Sequence, residues 1–299
     1  MERLKELKGD LYRCIHCKAC QFAYSGDPSR KGIGAFTGRT DGTETLYEGM
    51  LRACPAGIEF GWEAYNNSGK MWIARAVLEG EIELDENVLN VAERCITCGM
   101  CAAQCENQVR TVDIIEALRA AVLEAGVPAL DRHELVDQIT KKEDNPYGGL
   151  KKERTDWVKE FGVDESIIDN PDAKIAYFVG CTASYRQKNI AASTVKLLKK
   201  LGYDVTVLTD EVCCGSPFFR VGKIETANRL MNDNMKLFEK YDQILFSCAG
   251  CYRTFTIDYP KWTKKANPFT TNHAMELVSK LVSEDKIVWK PNPELEGKV

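Results

Sequence analysis

Four cysteines crowd into the stretch ERCITCGMCAAQC, where Cys95, Cys98, Cys101 and Cys105 follow the pattern C-x2-C-x2-C-x3-C. Nearer the N-terminus, CIHCKAC places Cys14, Cys17 and Cys20 at the same steps of three, and RACPAG later supplies Cys54 followed by Pro55. Such a run can wrap three thiolates around three irons of one cubane, while a fourth cysteine leads the chain away toward a second cluster. The Cys-Pro pair at Cys54 is the signature that usually ends such a run, here delayed by an insertion containing KGIGAFTGRTDGTETLYEGM. Zinc is the alternative chemistry, as two sites of four thiolates each. Zinc ribbons use paired C-x2-C knuckles, and a third cysteine two residues after each knuckle serves a tetrahedral ion poorly.

Five further cysteines, Cys181, Cys213, Cys214, Cys248 and Cys251, complete a total of thirteen, which divides as eight plus five with none left over. The start MERLKELKGDLYRC has no apolar core of signal-peptide length, and no apolar run approaches the roughly 18 residues of a membrane span. A cytoplasmic location follows as the default, with any membrane contact made through a partner. Thiols are kept reduced in that compartment, so the cysteines read as metal ligands and not as a disulfide framework. The formal net charge of -4 argues against nucleic acid, whose binders show a basic face.

The elements that must position these cysteines fall into two patterns. ENVLNVAERC and TVDIIEALRAAVLEAG carry apolar residues at helical spacing on either side of the second run, the latter closed by Gly126. From 127 to 172 the pattern breaks into a polar stretch with prolines and glycines, expected to be a linker. Beyond it KIAYFV, DVTVL and QILFS read as short buried strands, separated by the helices NIAASTVKLLKKLG and KIETANRLMNDNMKLFEKY and followed by the helix GCYRTFTIDY. Strands alternating with helices imply a parallel sheet, and Cys181, the Cys213–Cys214 pair and the Cys248–Cys251 pair each follow a strand. Five thiolates would then converge from three loops. Neighbouring side chains in an extended strand point to opposite faces, so Gly215 and Pro217 suggest a turn that lets both sulfurs of CCGSP face one site.

The expected architecture is therefore α+β and multidomain: a helical two-cluster domain over 1–126, a polar linker over 127–172 and an α/β parallel-sheet domain over 173–299. Weaker features are the glycine pattern GIGAFTG, which follows no strand and reads as a loop, and His16 and His133, which read as structural. No flavin or nicotinamide fingerprint stands out above that glycine pattern.

The first eight cysteines resemble those of two-cluster bacterial-type ferredoxins, in particular their helical relatives in respiratory iron-sulfur subunits. The resemblance implies two [4Fe-4S] cubanes with crossed ligation: Cys14, Cys17 and Cys20 with Cys105, and Cys95, Cys98 and Cys101 with Cys54. The long insertion and Glu106, where a proline is usual, depart from that pattern. The spacing C-x31-C-C-G-x32-C-x2-C, together with GCTASYRQ, LGYDV, EVCCGSPFFRVG and SCAGCYRTFTIDYP, resembles the cysteine-rich CCG domain of the heterodisulfide reductase family. NPYG and ERTDW between the two halves resemble members that fuse a ferredoxin-type domain to this one.

That resemblance implies a noncubane [4Fe-4S] cluster held by Cys181, Cys213, Cys214, Cys248 and Cys251, exchanging electrons with the cubanes and acting in thiol/disulfide chemistry. A zinc site, or an ordinary cubane with one idle cysteine, is the competing reading there. The family also implies work in a complex, with a flavoprotein, a membrane cytochrome b or another quinone-reactive subunit, or a second CCG polypeptide, and a disulfide as substrate. Relatives usually carry a second CCG copy. This chain reaches KPNPELEGKV where that copy would begin, so it is either a partner of a separate second half, a fragment, or a short form. The runner-up is an electron conduit between a flavoprotein dehydrogenase of the glycolate, lactate or glycerol-3-phosphate type and quinone, with no substrate chemistry of its own.

Overall fold

The computed structural model describes residues 1–24 and 50–287. The glycine pattern GIGAFTG, most of the insertion before Cys54 and the terminal KPNPELEGKV lie outside them. Two compact units emerge, one formed by Met1–Glu134 with Pro217–Ile224, the other by Leu135–Ser216 with Glu225–Val299. Among the described residues no helix is long and apolar enough to cross a membrane.

The first unit is helical apart from a short antiparallel pair, β1 (Phe22–Tyr24) with β2 (Met50–Arg52). Its helices are α1 (Glu2–Glu6), α2 (Lys8–Tyr12), α3 (Pro55–Phe60), α4 (Asn67–Glu79), α5 (Glu86–Glu93), α6 (Met100–Ala103) and α7 (Thr111–Glu124). Asp85 starts α5 by accepting a hydrogen bond from the Val88 amide at 2.9 Å, an N-cap worth about 1 kcal/mol. Every residue of α7 from Ile114 to Val122 is buried. A helix covered on nearly all sides belongs in the middle of a bundle, and Leu4, Leu11, Met71, Val88 and Leu89 share one core with it.

That core also holds a cation, Arg119 of α7, which is 3% exposed. Its guanidinium donates to the Ala92 carbonyl at 2.8 Å and to the Cys95 carbonyl, and its Nη1 donates to the Arg220 carbonyl at 2.7 Å. One side chain thus satisfies carbonyls at the end of α5, at the first cysteine of the second run and in the Pro217–Ile224 segment.

The second unit is an α/β layer. Four parallel strands, β3 (Ile175–Phe178), β4 (Val205–Thr206), β5 (Gln243–Phe246) and β6 (Thr270–His273), run in the order β4-β3-β5-β6. The first three are the strands expected from the apolar runs. The fourth, TTNH, has no apolar run to announce it and is held by its pairing with β5. Tyr177, Val179, Val205, Val207 and Leu245 build the core together with Trp157 and Leu198.

The stretch expected as a polar linker is folded. A helix, α8 (Asp131–Glu143), begins in the first unit and continues into the second, α9 (Asp156–Glu160) follows, and Trp157 is fully buried in the core of the second unit. The polar composition of this stretch reflects buried groups that have partners: Asn145, fully buried, receives the amides of Tyr147 and Gly149 on Oδ1 and donates to the carbonyls of Glu143 and Gly149.

Candidate metal centres

In the first unit the two cysteine runs share a backbone form. His16 and Thr97 both sit at φ 53°, and Lys18 and Gly99 follow at φ 67° and 80°. A left-handed conformation is costly for His, Thr and Lys, so its repetition at matching positions marks the shape the two loops must take to turn their sulfurs inward. The Thr97 amide lies 3.4 Å from Cys95 Sγ, the Val109 amide 3.5 Å from Cys105 Sγ, and Thr111 Oγ1 2.9 Å from Cys101 Sγ.

Two cavities separate the eight sulfurs. Cys14, Cys17, Cys20 and Cys105 line one; Cys54, Cys95, Cys98 and Cys101 line the other, with Cys20 bordering both. Cys17 and Cys98 are exposed and the remaining six are half-buried. Burial pushes the thiols of Cys14, Cys20 and Cys95 up and takes that of Cys101 up to about 11. Lys70, 1% exposed, has Cys95, Cys54 and Cys101 among the groups that favour its charge. Its ammonium donates to the Tyr65 carbonyl. His16 stacks on Trp72 with ring centroids 3.9 Å apart.

In the second unit all three cysteine loops leave the same edge of the sheet. Parallel strands place their carboxyl ends side by side. Cys181 enters α10 (Gly180–Tyr185) directly after β3, Cys213 and Cys214 follow β4, and Cys248 precedes α14 (Ala249–Arg253) after β5. Gly180, at φ 76°, is where only glycine fits, since a Cβ there would stand 3.2 Å from Cys251 Sγ. The chain turns at Gly215 (φ 81°), directly after the adjacent pair.

The five sulfurs hydrogen-bond in series, Cys181 to Cys213, Cys213 to Cys214, Cys214 to Cys251 and Cys251 to Cys248. The bond from Cys213 brings the Cys214 thiol down to about 5, and the bond from Cys251 brings that of Cys248 down to about 5. Cys181 is pushed up by its bond to Cys213, and Cys251 by its bonds to Cys214 and Cys248. Thiolates are therefore interspersed with protonated thiols along the chain of sulfurs. Metal binding would replace those shared protons. Cys248 alone of the five is partly exposed; the other four are buried. Among the described residues, no three His, Cys, Asp or Glu side chains gather around the position of a single metal ion.

Residues that cysteine spacing does not reveal hold these loops. Cys213 donates its amide to the Asp144 carbonyl at 2.9 Å, and Asn234 donates to the Cys213 carbonyl at 3.0 Å. Glu211 accepts from the amides of Val179 and Gly180, and the buried Arg154 pairs with it. After Cys251 the helix widens into a π turn over Thr254–Asp258, a form frequent at functional sites, before α15 (Tyr259–Thr263). His273, at the carboxyl end of β6, helps lower the Cys248 thiol by its charge. The ERTDW segment carries Arg154 in plain view, but its burial was not legible there.

Residues 10–109 match a 4Fe-4S dicluster domain family and residues 175–256 a cysteine-rich (CCG) domain family. The chain is 33% identical over 239 residues to a subunit of the dihydromethanophenazine:CoB–CoM heterodisulfide reductase of Methanosarcina acetivorans, an alignment covering 77% of this chain and 57% of the relative. It is 32% identical over 174 residues to a subunit of the fumarate reductase (CoM/CoB) of Methanothermobacter marburgensis, covering 58% and 34%. A probable glycolate oxidase iron-sulfur subunit of Bacillus subtilis is 22% identical over 273 residues, covering 73% and 60%. The chain thus spans a little over half the length of the heterodisulfide reductase subunits it matches. It belongs to the heterodisulfide reductase family of iron-sulfur electron-transfer subunits, in which a 4Fe-4S dicluster domain precedes a CCG cysteine-rich domain.

Proposed function

We propose that this protein is the iron-sulfur subunit of an oxidoreductase complex, carrying two [4Fe-4S] cubanes and a noncubane [4Fe-4S] cluster that serves thiol/disulfide chemistry. The observation that carries this reading is the continuous series of five sulfurs at one sheet edge, one more than an ordinary cubane uses. Cys14, Cys17, Cys20 and Cys105 would hold one cubane, and Cys54, Cys95, Cys98 and Cys101 the other, in keeping with the two cavities they line. Cys181, Cys213, Cys214, Cys248 and Cys251 would hold the third cluster.

The donor sets fit such groups: all are thiols, Gly180 leaves room against Cys251, and a buried cation stands beside the sulfurs in each unit. Bound there, the clusters supply one-electron redox chemistry. The chain's own part is to exclude water from four of the five CCG sulfurs and leave Cys248 partly open. A disulfide would therefore approach from the Cys248 side. The names of the relatives favour partners that are other redox subunits, a flavoprotein or a quinone-reactive membrane protein among them, or a second CCG polypeptide.

Anaerobic iron and acid-labile sulfide analysis tests this, with about twelve irons expected for three four-iron clusters. Loading that stops reproducibly at about eight would remove the third cluster. A spectroscopic response of that site to added thiol, absent from the cubanes, is the second expectation. A fully loaded protein that ignores every thiol would instead favour the conduit role suggested by the likeness to the glycolate oxidase iron-sulfur protein.

A further inference from the structure

The second unit buries a cation that the cysteines alone leave without a task. Arg154 is 1% exposed. Taking a guanidinium out of water costs several kcal/mol unless its charge and its donors are met. Its Nη1 donates to Glu211 Oε1 at 2.8 Å. Glu211, fully buried, also accepts from the Val179 amide at 2.8 Å and the Gly180 amide at 2.9 Å, the two residues that lead into Cys181. Nε and Nη2 of Arg154 have neither oxygen nor nitrogen as partner. The Cys181 thiol lies within hydrogen-bonding reach of the same guanidinium.

The neighbours fix this cation in place. Its guanidinium stands 5.3 Å from the centre of the Tyr185 ring. Gly149 lies so close to that ring that a Cβ would fall 2.3 Å from Tyr185 Cδ1. The fully buried Asn145, through its four backbone hydrogen bonds, sets the loop that brings Gly149 there. The NPYGG and ERTDW segments therefore converge on one guanidinium beside Cys181. An arginine needed only to anchor Glu211 would not leave two buried donors over, because such donors are expensive to strand.

We propose that Arg154 is the charge-balancing and positioning residue of the CCG site, its Nε–H and Nη2–H donating to the Cys181 sulfur and its positive charge favouring the reduced state of the loaded site. This rests on the reading that the five CCG cysteines hold a cluster. Glu211 is then the counterweight: it orients the guanidinium and offsets part of its charge.

The test uses the full chain, loaded anaerobically, as wild type, Arg154→Gln, Arg154→Lys and Glu211→Gln. Midpoint potentials of each cluster are read by EPR-monitored titration with dithionite, alongside iron content. Arg154→Gln should lower the potential of the CCG site by at least a tenfold change in its one-electron equilibrium, about 59 mV, and leave both other clusters unmoved. Arg154→Lys should recover at least half of that shift, since it keeps the charge and loses only the planar fork. Glu211→Gln should move the potential the opposite way, because it leaves the guanidinium unopposed.

A purely structural anchor predicts no such reversal of sign. Should Arg154→Gln fail to fold, Arg154→Lys and Glu211→Gln carry the comparison. Equal potentials in wild type and the variants, or a fall in both Arg154→Gln and Glu211→Gln, would overturn the inference while leaving the cluster in place. A wild-type protein with no third cluster would overturn the reading beneath it as well.

Discussion

The Tyr259 hydroxyl donates to the backbone carbonyl of Cys214 at 3.0 Å, and receives the Asn234 side-chain amide at 3.2 Å. Asn234 also donates to the Cys213 carbonyl, so one tyrosine and one asparagine hold both peptide groups of the adjacent cysteine pair. All of these residues are buried. Tyr259→Phe should cost about 1–3 kcal/mol, the penalty for stranding a buried polar group. Chemical denaturation of the variant measures it, and iron should be lost from the CCG site before it is lost from the dicluster domain.

Cys54 and Cys105 line different cavities. Cys54→Ser should damage the cluster held with Cys95, Cys98 and Cys101, and Cys105→Ser the one held with Cys14, Cys17 and Cys20. EPR of the two reduced variants distinguishes them. Loss of the same signal in both would overturn the crossed assignment.

In metal-free protein Cys248 should be the first of the CCG cysteines to react. Its hydrogen bond from Cys251, and the amides of Gly250 and Cys251, bring its thiol down to about 5, so at neutral pH it stands as thiolate, the nucleophilic form. Cys214 is lowered as far but is buried. Brief iodoacetamide treatment followed by peptide mapping should find Cys248 modified ahead of Cys181, Cys213, Cys214 and Cys251, with a rate that falls only when the pH drops toward about 5.

Arg119 holds carbonyls of Ala92, Cys95 and Arg220, with the buried carboxylate of Glu93 3.6 Å from its Nε. Arg119→Met keeps the bulk but strands those acceptors and that acid. A loss of about 3–5 kcal/mol is expected, as for other broken buried pairs, read as a lowered midpoint in thermal or denaturant unfolding. Burial already pushes the Glu93 carboxyl up, although Arg119 opposes it. Removing the arginine should raise it further. A carboxyl whose folded-state value is raised loses stability as the pH climbs, so the added instability should be greater at about pH 8 than at about pH 6.

The thirteen cysteines, their grouping as eight and five, and the change from helical to strand-and-helix periodicity are properties of the sequence alone, because each is local: ligand steps of three, a Cys-Pro pair, short apolar runs. They sufficed to predict the helical domain, the parallel sheet and the strand ends at which the last five cysteines stand. Tertiary structure decided what depends on distant partners. Arg154 and Trp157 sit in a stretch whose polar composition reads as a linker, yet Arg154 is buried because Glu211, 57 residues later, meets its charge. Strand β6 exists because β5 offers it a ladder, not because TTNH is apolar. And five sulfurs lie in one series because parallel strands set their carboxyl ends side by side, a convergence no spacing along the chain can express.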